Sequence, residues 1–136
     1  MNVKFLTSVA GVLLVAAFPA NAHHSFAAEF DANSPIDLTG TVTKVAWTNP
    51  HTFFYIDVQA ADGKVENWAL EMGSPNGLMR RGWTRNSMKI GDVVTVTGSR
   101  AKDGSLKGNA REVMLSSGER LFAGSSQGNE GSESNN

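Results

Sequence analysis

The chain has no cysteine. Disulfides, thiolate metal ligands, a thiol nucleophile and a lipidated amino-terminal cysteine are therefore all excluded. Charge of one sign is also lacking: 12 basic residues stand against 13 acidic ones, a formal net charge of −1. That is not the strongly basic footprint of a nucleic-acid binder, so nucleic acid is excluded from the expected partners. There is no Gly-rich phosphate loop and no His-Glu-x-x-His sequence, which removes two common routes to strong chemistry. After residue 22 no long apolar run occurs, and no membrane span is expected in the mature chain.

The one apolar run lies at the start and reads as a secretory signal over 1–22. Lys4 supplies the positive start, Phe5 to Phe18 is mostly apolar, Pro19 breaks the run, and Ala20-Asn21-Ala22 is the small-residue cleavage pattern. A spanning helix needs about 20 apolar residues, whereas this stretch is shorter and contains Thr7 and Ser8. Cleavage between Ala22 and His23 would place the protein in the periplasm or outside the cell, with Lys4 the only charge lost. The remainder is the size of one small domain.

What is present is mostly β pattern. Residues 23–35, "HHSFAAEFDANSP", form an arm anchored by Phe26 and Phe30. From Ile36, "IDLTGTVTKVAW" is a Thr- and Val-rich strand whose inward phase changes between Leu38/Val42 and Val45/Trp47, which predicts a bulge, eased by Gly40. A second strand, "HTFFYIDVQ", alternates Phe54, Ile56 and Val58 with Phe53, Tyr55 and Asp57, and Asp62-Gly63 turns into a third. That strand sets Trp68, Leu70 and Met72 against Asn67, Ala69 and Glu71. "GSPNGLMRRG" predicts a short helix capped by Ser74, begun by Pro75 and ended by Gly82. Trp83, Met88 and Ile90 are read as plugs before a fourth strand, "DVVTVTGSR". A fifth, "NAREVMLSS", follows the Asp103-Gly104 loop. Residues 123–136 lack the apolar content to order themselves and are expected to be a disordered tail. Three strands, a short helix and two more strands over 36–122 predict an all-β fold, a five-stranded OB-fold-like Greek-key barrel.

The segments "AHHSFAAEFD", "LTGTVTKVAWTNPH", "NWALEMGSPNGLMRRGW" and "GDVVTVTGSRAKDG" resemble a family of small exported bacterial proteins known only as a domain of unknown function. The resemblance runs from His23 to about Phe122. It implies a single periplasmic domain and brings no established activity, so no functional residues are carried over.

The three histidines, His23, His24 and His51, carry the sharpest chemical reading. A mature His23 would offer its terminal amine and one ring nitrogen to a metal. The amine, of reference pKa about 7.7–8.0, is partly neutral near pH 7, and copper, nickel and zinc accept imidazole. The arrangement resembles the histidine brace of copper oxygenases and of some periplasmic copper carriers. If the arm folds back, His51 completes a copper-type site. The bland alternative is a polar start to the chain and a turn-forming His51.

Two further surfaces are candidates. Trp47, Phe53, Tyr55, Asn67 and Glu71 form an expected binding face on the outside of strands two and three, where OB-folds bind ligands. The competing reading puts Phe53 under the arm, covered by Phe26 or Phe30, because exposed aromatic patches cost solubility. Arg80, Arg81 and Arg85 form a patch for an anion or an acidic partner, or are the solvated end of the helix. Glu66 and Glu71 differ in strand parity and cannot act as a carboxylate pair. The expectation is therefore a non-enzymatic envelope binding domain, with copper as its candidate cofactor and an envelope protein or small ligand as partner. The alternatives are a metal-free interaction module and, more remotely, a copper oxidase or oxygenase.

Overall fold

The computed structural model describes residues 26–124. Residues 1–25, which include the expected signal sequence and His23 and His24, and residues 125–136 lie outside the described residues. One turn of helix, α1 (Phe26–Glu29), leads into β1 (Phe30–Ala46), followed by β2 (Phe53–Gln59), β3 (Val65–Glu71), α2 (Pro75–Met79), β4 (Val93–Ala101), β5 (Lys107–Met114) and β6 (Arg120–Phe122). The arm is thus shorter than expected. Residues Phe30 to Pro35 already belong to β1, because Phe30 and Asp31 pair with Ala101 and Arg100 of β4. Their turn-like composition yields to this tertiary pairing, as strand propensity often does.

β1 pairs with β2 on one side and with β4 on the other, β2 pairs with β3, and β4 with β5, all antiparallel. The circuit closes where Ala69–Glu71 of β3 runs parallel to Lys107–Asn109 of β5. This order, 1-2-3-5-4-1 with the helix between β3 and β4, is that of the OB-fold barrel. β6 is a sixth strand added to β5 through Glu112↔Phe122 and Val113↔Leu121. The phase change in β1 is real and falls at a register shift between Val42 and Lys44. Gly40 has a different job from easing the bend: a Cβ there would lie 2.5 Å from the Asp57 carbonyl oxygen, so Gly40 permits a close approach of β2.

Phe54, Ile56, Trp68, Leu70, Met72, Leu78, Trp83, Val94, Val96 and Val113 are buried together in the barrel. Ser74 caps α2 by accepting from the Gly77 amide at 3.2 Å, and Gly82 follows at φ +96°. Trp83 and Met88 are plugs as expected, whereas Ile90 is 73% exposed: its turn residues carry hydrogen bonds to Val42 instead. Ala123 and Gly124, read as the start of the tail, are buried. Ala123 donates its amide to Arg111 and accepts from Gly73, so the fold extends past β6. In the β4–β5 turn the Asp103 carboxylate accepts from the Ser105 hydroxyl and amide, which hold its pKa below the usual value of 3.8.

Candidate functional site

β2 and β3 set one end of the site by continuing their ladder past the strand ends. The Thr52 amide donates to the Gly73 carbonyl at 3.0 Å, and the Met72 amide to the Thr52 carbonyl at 2.8 Å. Thr52 is wholly buried, so the residue before it, His51, is carried to the rim of the barrel. The loop behind it contains a cis Asn49–Pro50 peptide, and the Thr48 hydroxyl donates to the His51 carbonyl at 3.3 Å.

At this rim His51 meets Glu71. Its Nδ1 is hydrogen-bonded to Glu71 Oε1, and the carboxylate is buried, with 9% of the side chain exposed against 33% for His51. An ionised carboxylate can only accept, so against ionised Glu71 a neutral His51 ring would carry its proton on Nδ1 and leave the lone pair of Nε2 facing away from this bond. On its other side Glu71 Oε2 lies 4.0 Å from Lys107 Nζ. Lys107 in turn pairs with Glu29 of α1, and its ammonium sits 5.6 Å and 5.7 Å from the ring centroids of Phe30 and Phe53. The result is a run of paired polar groups, His51–Glu71–Lys107–Glu29, in which Lys107 stands between two carboxylates, flanked by aromatic rings.

This cluster corrects the reading of Glu71 as part of an open face. Strand parity does turn Glu71 away from Leu70 and the core, but the arm and Lys107 cover that side. Phe53, paired with Glu71 across the ladder, is half-buried beside Lys107. Trp47 packs against the core cluster. Tyr55 is half-buried, with Lys44 Nζ 5.2 Å from its ring centroid. Asn67 is exposed, but its amide donates to Asp57 Oδ1 at 2.8 Å and to Thr43 Oγ1 at 3.2 Å. It is a cross-strand tie.

The arginine patch divides as well. Arg80 and Arg85 are exposed, whereas Arg81 lies over the Phe122 ring at 4.5 Å and donates to the Gly124 carbonyl. Arg81 therefore clamps the end of the fold. His23 and His24 lie outside the described residues, and among the described residues no three acidic or histidine side chains gather as metal ligands. Lys107 and Glu29 were missed by sequence reasoning. They lie 78 positions apart, and only barrel closure brings them together.

Closed strand order and charged rim together define a small OB-fold domain with its most organised polar cluster beside the amino-terminal arm. The chain belongs to DUF6152, a family of unknown function, which matches residues 10–111. No curated protein matches it. Among solved structures it is similar to the mitochondrial single-stranded DNA-binding protein Rim1 of S. cerevisiae, with a TM-score of 0.48, 14% identity, and coverage of 60% of this chain and 92% of that one. It is also similar to the N-terminal domain of the PriB protein of Thermoanaerobacter tencongensis, with a TM-score of 0.40, 16% identity, and coverage of 61% and 96%. The first of these is a single-stranded DNA-binding protein, which corrects the blanket exclusion of nucleic acid drawn from charge; at 14% identity the likeness concerns the fold and assigns no partner to this chain. Net charge over a whole chain is the wrong criterion, because single strands are held by a local groove and stacking side chains. No helix among the described residues is long and apolar enough to cross a membrane.

Proposed function

We propose that the protein is an exported binding domain that holds a copper-type metal at the rim of its barrel. His51 Nε2 would be one ligand, the amine and ring of a processed His23 would supply others, and His24 would stand beside them. The observation that carries this reading is the Nδ1 contact of His51 with a buried carboxylate. Metal-binding histidines characteristically donate their second ring N–H to such a group, which fixes the tautomer and makes the remaining nitrogen a better donor. The position of the arm supports it too. α1 is tied to the β4–β5 hairpin by the Lys102 amide, which donates to the Glu29 carbonyl at 2.9 Å, and by Lys107. The chain therefore enters the fold on the same side as Glu71.

The test is Cu(II) titration of the protein beginning at His23, followed by electron paramagnetic resonance. One extra residue in front of His23, and separately His51→Ala, are each expected to weaken binding by at least tenfold. Each metal–nitrogen bond is about 2 Å, so the His23 and His51 donors must come within about 4 Å of each other. Binding that is indifferent to His51 would reduce the histidines to a local peptide site. A single-stranded oligonucleotide titrated in parallel separates the nucleic-acid alternative, which would show salt-dependent binding untouched by His51→Ala.

A further inference from the structure

The segment joining β3 to β4 closes one end of the barrel by a repeated step. Leu78, Trp83 and Met88 are buried in the core. The residues between and after them are turned out to solvent: Met79 and Arg80, then Thr84 to Asn86, then Lys89 and Ile90. With the plugs directed inward, these exposed stretches lie on the outer side of one cap. From Met72 to Gly91 the segment contains Arg80, Arg81, Arg85 and Lys89 and no acidic residue. Arg81 is committed to Phe122 and Gly124. Arg80, Arg85 and Lys89 are exposed, and among the described residues none of the three forms a salt bridge. Two acids stand at the same end: Asp92, whose carboxylate accepts from the Lys89 amide at 2.9 Å, and Glu119, which lies beside Arg120 in the β5–β6 turn.

Two large apolar side chains stand out among these cations, Met79 at 50% exposure and Ile90 at 73%. Ile90 is held out by its turn. The Gly91 amide donates to the Val42 carbonyl at 2.8 Å, the Val42 amide donates to the Asp92 carbonyl at 2.8 Å, and Gly91 takes φ +95°. An isoleucine pinned in solvent adds almost nothing to the stability of the domain, because its apolar surface is not removed from water. We propose that the outer side of this cap, from Met79 to Ile90, is a docking surface for an anionic phospholipid membrane. Arg80, Arg85 and Lys89 take the headgroup phosphates, and Met79 and Ile90 enter the apolar boundary beneath them. Cations interleaved with aliphatic side chains suit that surface, which offers both negative charge and a buried apolar layer. A single nucleic-acid strand calls for stacking aromatics, and the one aromatic of the cap, Trp83, is 2% exposed. An acidic protein or polymer answers the cations and leaves Ile90 in water.

The experiment is co-sedimentation with vesicles of phosphatidylcholine, with and without phosphatidylglycerol. The protein begins at His23, so that the apolar leader adds no binding of its own. Binding is expected only where phosphatidylglycerol is present, and it is expected to fall as salt screens the surface. Each cation at such a surface is worth roughly fivefold in affinity. Arg85→Gln is therefore expected to bind about fivefold more weakly, and Arg80→Gln/Arg85→Gln/Lys89→Gln about a hundredfold. Ile90→Ser is expected to lose roughly fivefold or more, through lost apolar contact. Lys64→Gln is the control: Lys64 follows the β2–β3 turn at the opposite end of β3 and already pairs with Asp62, so its loss is expected to stay within about twofold. No binding to the anionic vesicles overturns the proposal, as does binding that the triple variant retains. Binding that needs the cations, ignores Ile90 and is displaced by polyglutamate overturns the lipid in favour of an acidic polymer. If the triple variant fails to fold, Arg85→Gln and Ile90→Ser decide alone, and wild-type affinity in both counts against the membrane.

Discussion

Gly98→Ala is expected to lower stability by about 3 kcal/mol, near the upper end of what overpacking costs, and the melting temperature by roughly 10–20 °C for a domain of this size. A Cβ at Gly98 would lie 1.9 Å from the Asn109 carbonyl oxygen and 2.9 Å from its carbonyl carbon. Both are backbone atoms and cannot swing away. Gly98 stands where the β4–β5 register shifts, opposite Ala110, and has Ile36 of β1 on its other side. Relief on one side therefore strains the other, and the β5 residues that must move include Asn109, which closes the barrel against Glu71. Thermal unfolding followed by circular dichroism reads the effect. An unchanged midpoint would mean that β4 and β5 do not approach this closely.

Trp83→Ala is expected to cost about 3–5 kcal/mol, the usual range for emptying a large aromatic site. A domain of this kind has only about 5–15 kcal/mol in total, so the variant would sit near its unfolding limit. Trp83 is 2% exposed and belongs to the same buried cluster as Leu78, Met88 and Leu121. It also donates its indole N–H to the Phe122 carbonyl at 2.9 Å, so its loss frees β6 as well as opening a cavity. Trp83→Phe separates the two roles: it keeps much of the volume but not the hydrogen bond, worth about 1 kcal/mol. Urea unfolding of both variants is the measurement. Equal costs for Ala and Phe would show that the hydrogen bond, and not the volume, is what Trp83 supplies.

Much of the barrel was legible because its signals are local. Asp62-Gly63 and Asp103-Gly104 turn the chain, with φ of +81° and +78° at the glycines, and Ser74-Pro75 opens the helix. The alternation of Phe54, Ile56, Trp68 and Leu70 into the core follows from strand periodicity alone. The failures are all nonlocal. β1 begins at Phe30 because β4 reaches back to it, against the turn-like Asp-Ala-Asn-Ser-Pro composition. β6 is three residues long and gains its place from Trp83, Arg81 and β5. Glu71 was assigned correctly to the face away from the core, but parity says nothing of what lies over that face. Lys107 and α1 cover it only once β3 and β5 pair. His51 was singled out for being rare, and its buried carboxylate partner could not have been found from spacing along the chain.

The functional account rests on one atom-level claim: Glu71 holds Nδ1 of His51 and leaves Nε2 to a ligand. Long-range proton–nitrogen NMR of the His51 ring in the neutral form, before and after one equivalent of Zn(II) as a diamagnetic probe, tests it directly in protein beginning at His23. The account predicts a proton on Nδ1, a bare Nε2, and a metal-induced shift concentrated at Nε2. A proton on Nε2, or a ring that ignores the metal, would contradict it.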